Sequence, residues 1–107
     1  MISQDDAEKA VDWLIHSSAE YATARATQEM KQNMLRVTKA GLMKASDEKA
    51  IGSQEVQAYA SEEYKQSILE LFTATLEYEK LRSLREAAKL KCELWRSINA
   101  DQRKAVR

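Results

Sequence analysis

The chain contains no proline among its 107 residues and only two glycines. Proline is common in turns and extended segments, whereas helix interiors exclude it because it lacks a backbone donor and clashes with the preceding turn. A proline-free chain of this length therefore favours long helices. Because the chain is too short for two separate hydrophobic cores, we expect a single all-α domain over residues 1–107.

A first long helix is predicted from about residue 4 to about residue 45. Ser3 is a favourable N-cap, and the carboxylates of Asp5 and Asp6 suit the positive end of the helix dipole. Gly41 weakens the last turns, so a bend or fraying is expected there. Apolar spacing of three and four predicts a buried face made of Val11, Leu14, Ile15, Ala22, Ala26, Met30, Met34, Val37 and Met43.

The segment 45–53 mixes turn-forming and charged residues, and we expect the chain to reverse direction there. Ser53 is expected to cap a short connecting helix that ends at Ala60. Ser61 is expected to cap a last helix, from about residue 62 to about residue 98.

The last helix carries two apolar stripes, and a single partner helix cannot cover both. The first stripe contains Tyr64, Ile68, Leu71, Tyr78, Leu81, Ala88, Cys92 and Trp95. The second contains Leu69, Phe72, Leu76, Ala87, Leu90 and Leu94. We therefore predict a long antiparallel helical hairpin that dimerises into a four-helix bundle.

Residues that support catalysis or metal binding are scarce. The single histidine, His16, is expected at the surface, and the single cysteine, Cys92, is expected to fill the core as a free thiol. The chain has no Gly-rich phosphate loop and no Glu-x-x-His pair for a di-metal bundle. We expect no enzymatic activity, no metal, no cofactor and no small-molecule substrate.

The N-terminal residues are acidic, unlike the basic start of a signal peptide, and no apolar run approaches the roughly 20 residues that span a bilayer. The sequence therefore predicts a soluble cytoplasmic protein without a membrane partner.

The overall charge of zero conceals a strong asymmetry along the chain. Residues 1–79 hold 8 Lys and Arg against 14 Asp and Glu, whereas residues 80–107 hold 9 against 3. One interpretation is internal neutralisation, in which the acidic start of the first helix lies beside Arg96, Arg103 and Lys104. The two other interpretations are binding to an acidic protein and binding to nucleic acid. The candidate residues for this binding are Lys89, Lys91, Arg96, Arg103 and Lys104. The same basic set also includes Lys80, Arg82, Arg85 and Arg107.

Trp13 and Trp95 lie toward the same end of the predicted hairpin. One interpretation is that they cover that end together. The alternative is that Trp95 anchors a protein partner with help from Arg96, Arg103 and Lys104, because Trp and Arg dominate interface hot spots.

Four segments carry a family resemblance: the C-terminal string Trp95-Arg-Ser-Ile-Asn-Ala-Asp-Gln-Arg103, the pair Ala87-Ala88, the string Ala58-Tyr-Ala-Ser-Glu-Glu-Tyr64 and the triplet Ala24-Arg25-Ala26. The chain resembles small helical proteins of tailed bacteriophages and prophages, a family of unassigned activity. The resemblance implies a phage origin, a bacterial host cytoplasm and a setting among recombination or replication genes. It transfers no catalytic residue.

These observations lead to three functional hypotheses, the third of which is a purely structural or assembly role. The first is a non-enzymatic, homodimeric interaction module that binds a phage or host protein in DNA processing or host defence. The second is a direct nucleic-acid-binding accessory of phage recombination or replication. Inhibition of a host CRISPR system is a further alternative.

Overall fold

The computed structural model describes residues 1–106 and confirms the all-α class. The helices are α1 (Gln4–His16), α2 (Ser18–Ala45), α3 (Ile51–Tyr59) and α4 (Glu62–Val106), and the described residues form no strand. Contacts divide the chain into two compact units: residues 1–22 with 79–107, and residues 23–78. No helix within residues 1–106 has the length and hydropathy needed to cross a membrane.

The start of α1 confirms the predicted cap. The Ser3 hydroxyl accepts a hydrogen bond from the backbone N–H of Asp6 at 3.1 Å, and the Asp6 carboxylate accepts one from the backbone N–H of Ser3 at 3.0 Å. This reciprocal pair is a capping box, which satisfies two donors that the helix cannot pair internally. Hydrogen bonds from Ser3 hold the pKa of Asp6 below its usual value, with Lys9 and Lys91 adding to the effect.

The prediction of one helix over residues 4–45 is wrong at Ser17, which separates α1 from α2. The hydroxyls of Ser17 and Ser18 both donate to the carbonyl oxygen of Leu14, at 3.5 and 2.7 Å. Serine hydroxyls compete in this way with the backbone ladder of a helix. Two adjacent serines therefore interrupt the helix there.

In the first unit α1 packs antiparallel to the C-terminal half of α4. The Cys92 sulfur lies 3.8 Å from the Ala7 carbonyl oxygen, whereas Arg85 contacts Leu14 and Ser17, farther along α1. The paired residues recur in steps of three and four, as in a coiled coil. This seam comprises Ala7, Ala10, Leu14, Ser17 and Tyr21 on one side, and Leu81, Arg85, Ala88, Cys92, Trp95 and Asn99 on α4.

In the second unit α2 packs antiparallel to the N-terminal half of α4. Lys31 pairs with Glu70 at 3.2 Å, and the Ser67 hydroxyl donates to the Thr38 hydroxyl at 3.3 Å. The same three-and-four spacing continues through Ala24, Gln28, Lys31, Leu35, Thr38 and Leu42, opposite Tyr64, Ser67, Leu71, Ala74 and Tyr78.

Helix α3 lies in the connection between α2 and α4, within the second unit. Its Tyr59 ring packs edge-on against Tyr64 at 5.1 Å, and the Lys39 amine lies 4.8 Å from the same ring. The predicted cap at Ser53 is wrong, because α3 begins at Ile51 with Ala50 as an N-cap that makes no side-chain bond. The Ser61 cap is confirmed, since its hydroxyl accepts from the Tyr64 N–H at 3.1 Å. Helix α4 continues to Val106, beyond the predicted end near residue 98.

The buried core is small and consists mainly of alanine. The buried apolar residues are Ala7, Ala10, Ala24, Ala58, Leu81 and Ala88. Seven residues of the face predicted for the first helix are exposed: Val11, Ile15, Ala22, Ala26, Met30, Met34 and Val37. The helices instead pack through small and polar side chains, which allow close approach. A prediction based on large apolar residues does not identify such positions.

Gly41 produces no break, because α2 continues through it to Ala45. A Cβ placed on Gly41 meets nothing within 4 Å, and its φ angle is not positive. We therefore expect Gly41→Ala to raise the free energy of unfolding by about 1 kcal/mol, because Ala has the higher helix propensity. Urea titration measures this gain, with exposed Ala40→Gly as the opposite-sign control. A fall in stability with Gly41→Ala would contradict the helical geometry at this position.

Candidate interaction surfaces

A hollow of about 370 Å³ lies beside Trp95 in the first unit. Its apolar floor combines the half-buried Trp95 and Cys92 with buried Ala7 and the flank of Val11. Charged and polar side chains form the rim: Gln4, Glu8 and Asp12 on α1, and Arg96 on α4. An apolar floor with opposite charges on two sides suits a side chain or helix of another protein.

Within residues 1–106, no ion pair joins the charged side chains of this rim. Glu8, Asp12 and Arg96 are all exposed, and within residues 1–106 Arg96 forms no ion pair. At the acidic start of α1, Asp5 pairs with Lys9 on its own helix at 3.0 Å. Arg96 therefore lies beside Glu8 and Asp12, as the interpretation of internal neutralisation predicts, but no ion pair joins Arg96, Arg103 or Lys104 to the acidic start of α1 in the described part of the chain.

A second hollow, of about 390 Å³, contains Trp13. Its lining residues are Asp6, Lys9, Ala10, Trp13, Leu84, Ala87, Ala88 and Lys91. The two tryptophans thus line different hollows. Lys91 belongs to the Trp13 hollow, whereas Arg96 belongs to the Trp95 hollow.

Three of the predicted basic residues share one side of α4. Lys89, Arg96 and Arg103 follow one another at seven-residue intervals, which places them almost in line along a helix. All three are exposed, as is Lys104, and no ion pair engages them within residues 1–106. Arg82 continues the line but pairs with Glu79 at 3.4 Å and Glu86 at 3.3 Å. Arg107 lies outside the described residues.

Arg85 belongs to the predicted basic set, but its guanidinium points inward. Its Nη1 donates to the Leu14 carbonyl oxygen at 2.8 Å and to the Ser17 hydroxyl at 2.7 Å, and its guanidinium carbon lies 5.0 Å from the Tyr21 ring centroid. These contacts lie at the C-terminal end of α1, where Ser17 is only 4% exposed. The spacing to Leu81 and Ala88 could have revealed this seam position in the sequence.

The isolated reactive side chains lie as expected from the sequence. His16 is exposed, and its Nδ1 donates to the Asp12 carbonyl oxygen at 2.6 Å. Cys92 is a half-buried free thiol in the seam. Within residues 1–106, no group of three or more His, Cys, Asp or Glu side chains is arranged to hold a metal ion.

Comparison of the chain with protein-family models, curated proteins and solved structures finds no match. The geometry of the two hollows and the exposed faces is therefore the basis for a functional proposal.

Proposed function

We propose that this chain is a non-catalytic helical interaction protein that works as a homodimer and binds a protein partner at the Trp95 hollow. The observation that carries the proposal is the hollow itself: Trp95 and Cys92 form an open apolar floor, and the guanidinium of Arg96 stands on its rim without an ion pair within residues 1–106. Tryptophan and arginine are the residues most enriched where alanine substitution costs an interface the most.

The rim defines the chemistry of the partner. An apolar side chain of the partner would fill the floor beside Trp95. A carboxylate on one side of that anchor would meet Arg96, and a basic residue on the other would meet Glu8 and Asp12. Such charge complementarity favours one orientation of the partner and rejects like-charged competitors.

The resemblance to small phage proteins suggests where this partner belongs. We place it among phage or host components of DNA processing or host defence, which includes a host CRISPR system. The protein would act in the cytoplasm of a bacterial host, by occupying a surface of its partner and without bond-making chemistry.

Substitution of both Trp95→Ala and Arg96→Ala is expected to abolish partner binding while the helical circular dichroism signal remains. The physical reason is that the double variant removes the apolar floor and the rim cation together. The measurement is capture of tagged protein from host lysate with and without nuclease treatment, with the retained protein identified and its stoichiometry determined.

The matched control is Trp13→Ala with Lys91→Ala, which removes a tryptophan and a basic residue from the other hollow. We expect this control to retain the partner. Equal loss of binding in both double variants would refute a specific role for the Trp95 hollow, and loss of helicity with Trp95→Ala would assign that residue to the core.

Direct binding to nucleic acid is a second candidate, because exposed Lys89, Arg96 and Arg103 lie in line on α4. Such a row can follow a phosphate backbone, and three contacts would give a log–log salt slope of about −3. In the same capture experiment, this candidate requires that nuclease abolishes retention. It also requires Lys89→Ala with Arg103→Ala to weaken binding, a change that leaves the Trp95 hollow intact.

A further inference from the structure

The Trp95 hollow is one end of a longer groove between α1 and α4 in the first unit. Val11, which lines the hollow, is 44% exposed, and Ile15, one turn farther along α1, is 66% exposed. Because Arg85 donates to the Leu14 carbonyl oxygen, this end of α1 lies at the level of Arg85 on α4. Apolar surface therefore extends from Trp95 toward Arg85, over ten residues of α4 or about 15 Å.

The α4 edge of this groove is cationic. Lys89 and Arg96 are exposed and lie seven residues apart, about 10.5 Å along one side of the helix. Within residues 1–106 no ion pair engages either of them, whereas Arg82, seven residues before Lys89, is bound by two glutamates of α4. Glu93 precedes Trp95 by two positions, about 200° around the helix, so its carboxylate does not belong to this edge.

The α1 edge of the groove is anionic. Glu8 and Asp12 line the hollow, both are exposed, and within residues 1–106 no ion pair engages them. Ile15 follows Glu8 by seven residues, so the same edge continues past the hollow as apolar surface. A phosphate-rich partner, such as nucleic acid or an anionic lipid surface, is attracted by one edge and repelled by the other. A protein segment with charges of both signs is attracted by both edges.

We propose that this groove binds one amphipathic helix of the partner. The inference rests on the proposed function, because it specifies the segment that occupies the Trp95 hollow. The apolar stripe of the bound helix lies on Val11, Ile15 and Trp95. Two carboxylates on one side of that stripe meet Lys89 and Arg96, and basic residues on its other side meet the carboxylates of α1.

The spacing of the two cations favours a helix over an extended strand. Residues about 10.5 Å apart are seven positions apart on a helix, and they share one side of it. On a strand the same distance corresponds to about three positions, which point to opposite faces. A bound strand also requires the open edge of a sheet, and α1 and α4 are helices whose backbone groups are paired internally.

A designed peptide tests the groove directly. The probe is a fluorescein-labelled amphipathic peptide of about 18 residues with leucines at three-and-four spacing, two glutamates seven residues apart on one edge and lysines on the other. Fluorescence anisotropy with the full chain measures its affinity. We expect this peptide to bind at least about tenfold more tightly than a peptide of the same composition in scrambled order. Equal affinities, or no binding at about 100 µM protein, would overturn the inference.

Variants beyond the hollow test the position of the helix. Ile15→Glu and Lys89→Glu are each expected to weaken peptide binding about tenfold at unchanged helicity, because each opposes the charge or the apolar stripe of the bound helix. The control, Leu84→Glu with Lys91→Glu on the Trp13 hollow, is expected to leave the affinity unchanged. Equal weakening by the control would overturn the assignment to this groove.

Charge exchange tests the contact with Lys89 and gives the direction of the helix. In two further peptides, one or the other of the two glutamates is replaced by lysine. One of these peptides is expected to recover affinity for the Lys89→Glu protein, and the replaced position identifies which end of the helix lies there. Failure of both peptides to recover affinity would overturn the proposed pairing.

The same variants separate this inference from the proposed function. Ile15 and Lys89 do not line the hollow, so the natural partner can be captured with Ile15→Glu and Lys89→Glu as well as with the double variant of Trp95 and Arg96. Loss of the partner with the double variant alone would overturn the helix along the groove and leave the proposed function in place. Retention of the partner by the double variant would overturn the proposed function itself.

Discussion

Arg85→Ala is expected to lower the free energy of unfolding by about 2–3 kcal/mol, since hydrogen bonds from a charged donor to partly buried acceptors are among the stronger ones. The substitution removes both hydrogen bonds of the guanidinium, to the Leu14 carbonyl oxygen and the Ser17 hydroxyl, and its stacking over Tyr21. Because Ser17 is buried, water replaces these contacts poorly. Urea unfolding followed by circular dichroism measures the loss.

The control for this prediction is Arg82→Ala, three residues earlier on the same helix. Arg82 is half exposed and pairs with Glu79 and Glu86 at helical spacing, so its loss should cost less than about 1 kcal/mol. A double-mutant cycle with Ser17→Ala should show coupling to Arg85 of at least about 0.5 kcal/mol. Equal effects of Arg85→Ala and Arg82→Ala would show that the inward contacts contribute little.

Leu81→Ala is expected to destabilise the protein by about 3 kcal/mol, the middle of the range for buried leucines. Leu81 is 6% exposed and is the largest of the buried apolar side chains within residues 1–106. The other members of this core are alanines, whose short side chains leave little capacity to fill the resulting cavity. Thermal and urea unfolding measure the effect.

Leu84→Ala provides the comparison for Leu81. Leu84 is 48% exposed at the edge of the Trp13 hollow, so its truncation should cost less than about 1 kcal/mol. A domain of this length is stable by only about 5–15 kcal/mol, which makes the loss at Leu81 a large fraction of the total. If both leucine variants unfold at the same urea concentration, Leu81 does not act as a core residue.

The second apolar stripe of α4 was predicted more accurately than the buried face of the first helix. The sequence predicts that one partner helix leaves this stripe uncovered, and its residues are exposed: Leu69, Phe72, Leu76, Ala87, Leu90 and Leu94. Two apolar stripes on one helix require two partners, and exposed Leu69, Phe72 and Leu76 show that the chain supplies only one. For the first helix, the large apolar residues Met30 and Val37 are exposed, whereas the seam uses residues such as Ala24 and Thr38. Hydrophobicity alone is a poor guide where helices pack through small and polar side chains.

Local chemistry determined several features of this protein. The absence of proline favours the all-α class, and the serine caps at Ser3 and Ser61 follow from hydrogen bonds within the first turn of each helix. The seam of α4 was largely readable because its apolar residues, such as Leu71, Leu81 and Trp95, are larger than the alanines of α1. These features depend on residues close together in sequence, so the sequence alone contains the information that specifies them.

Tertiary structure decided the inward direction of Arg85 and the separation of Trp13 from Trp95. Arg85 donates to a carbonyl group 71 positions away in sequence. No local sequence pattern predicts which turn of α1 lies opposite Arg85. The register between two helices fixes which side chains share a hollow. That register results from packing along the whole seam, where small differences at many contacts add up, and no single residue specifies it.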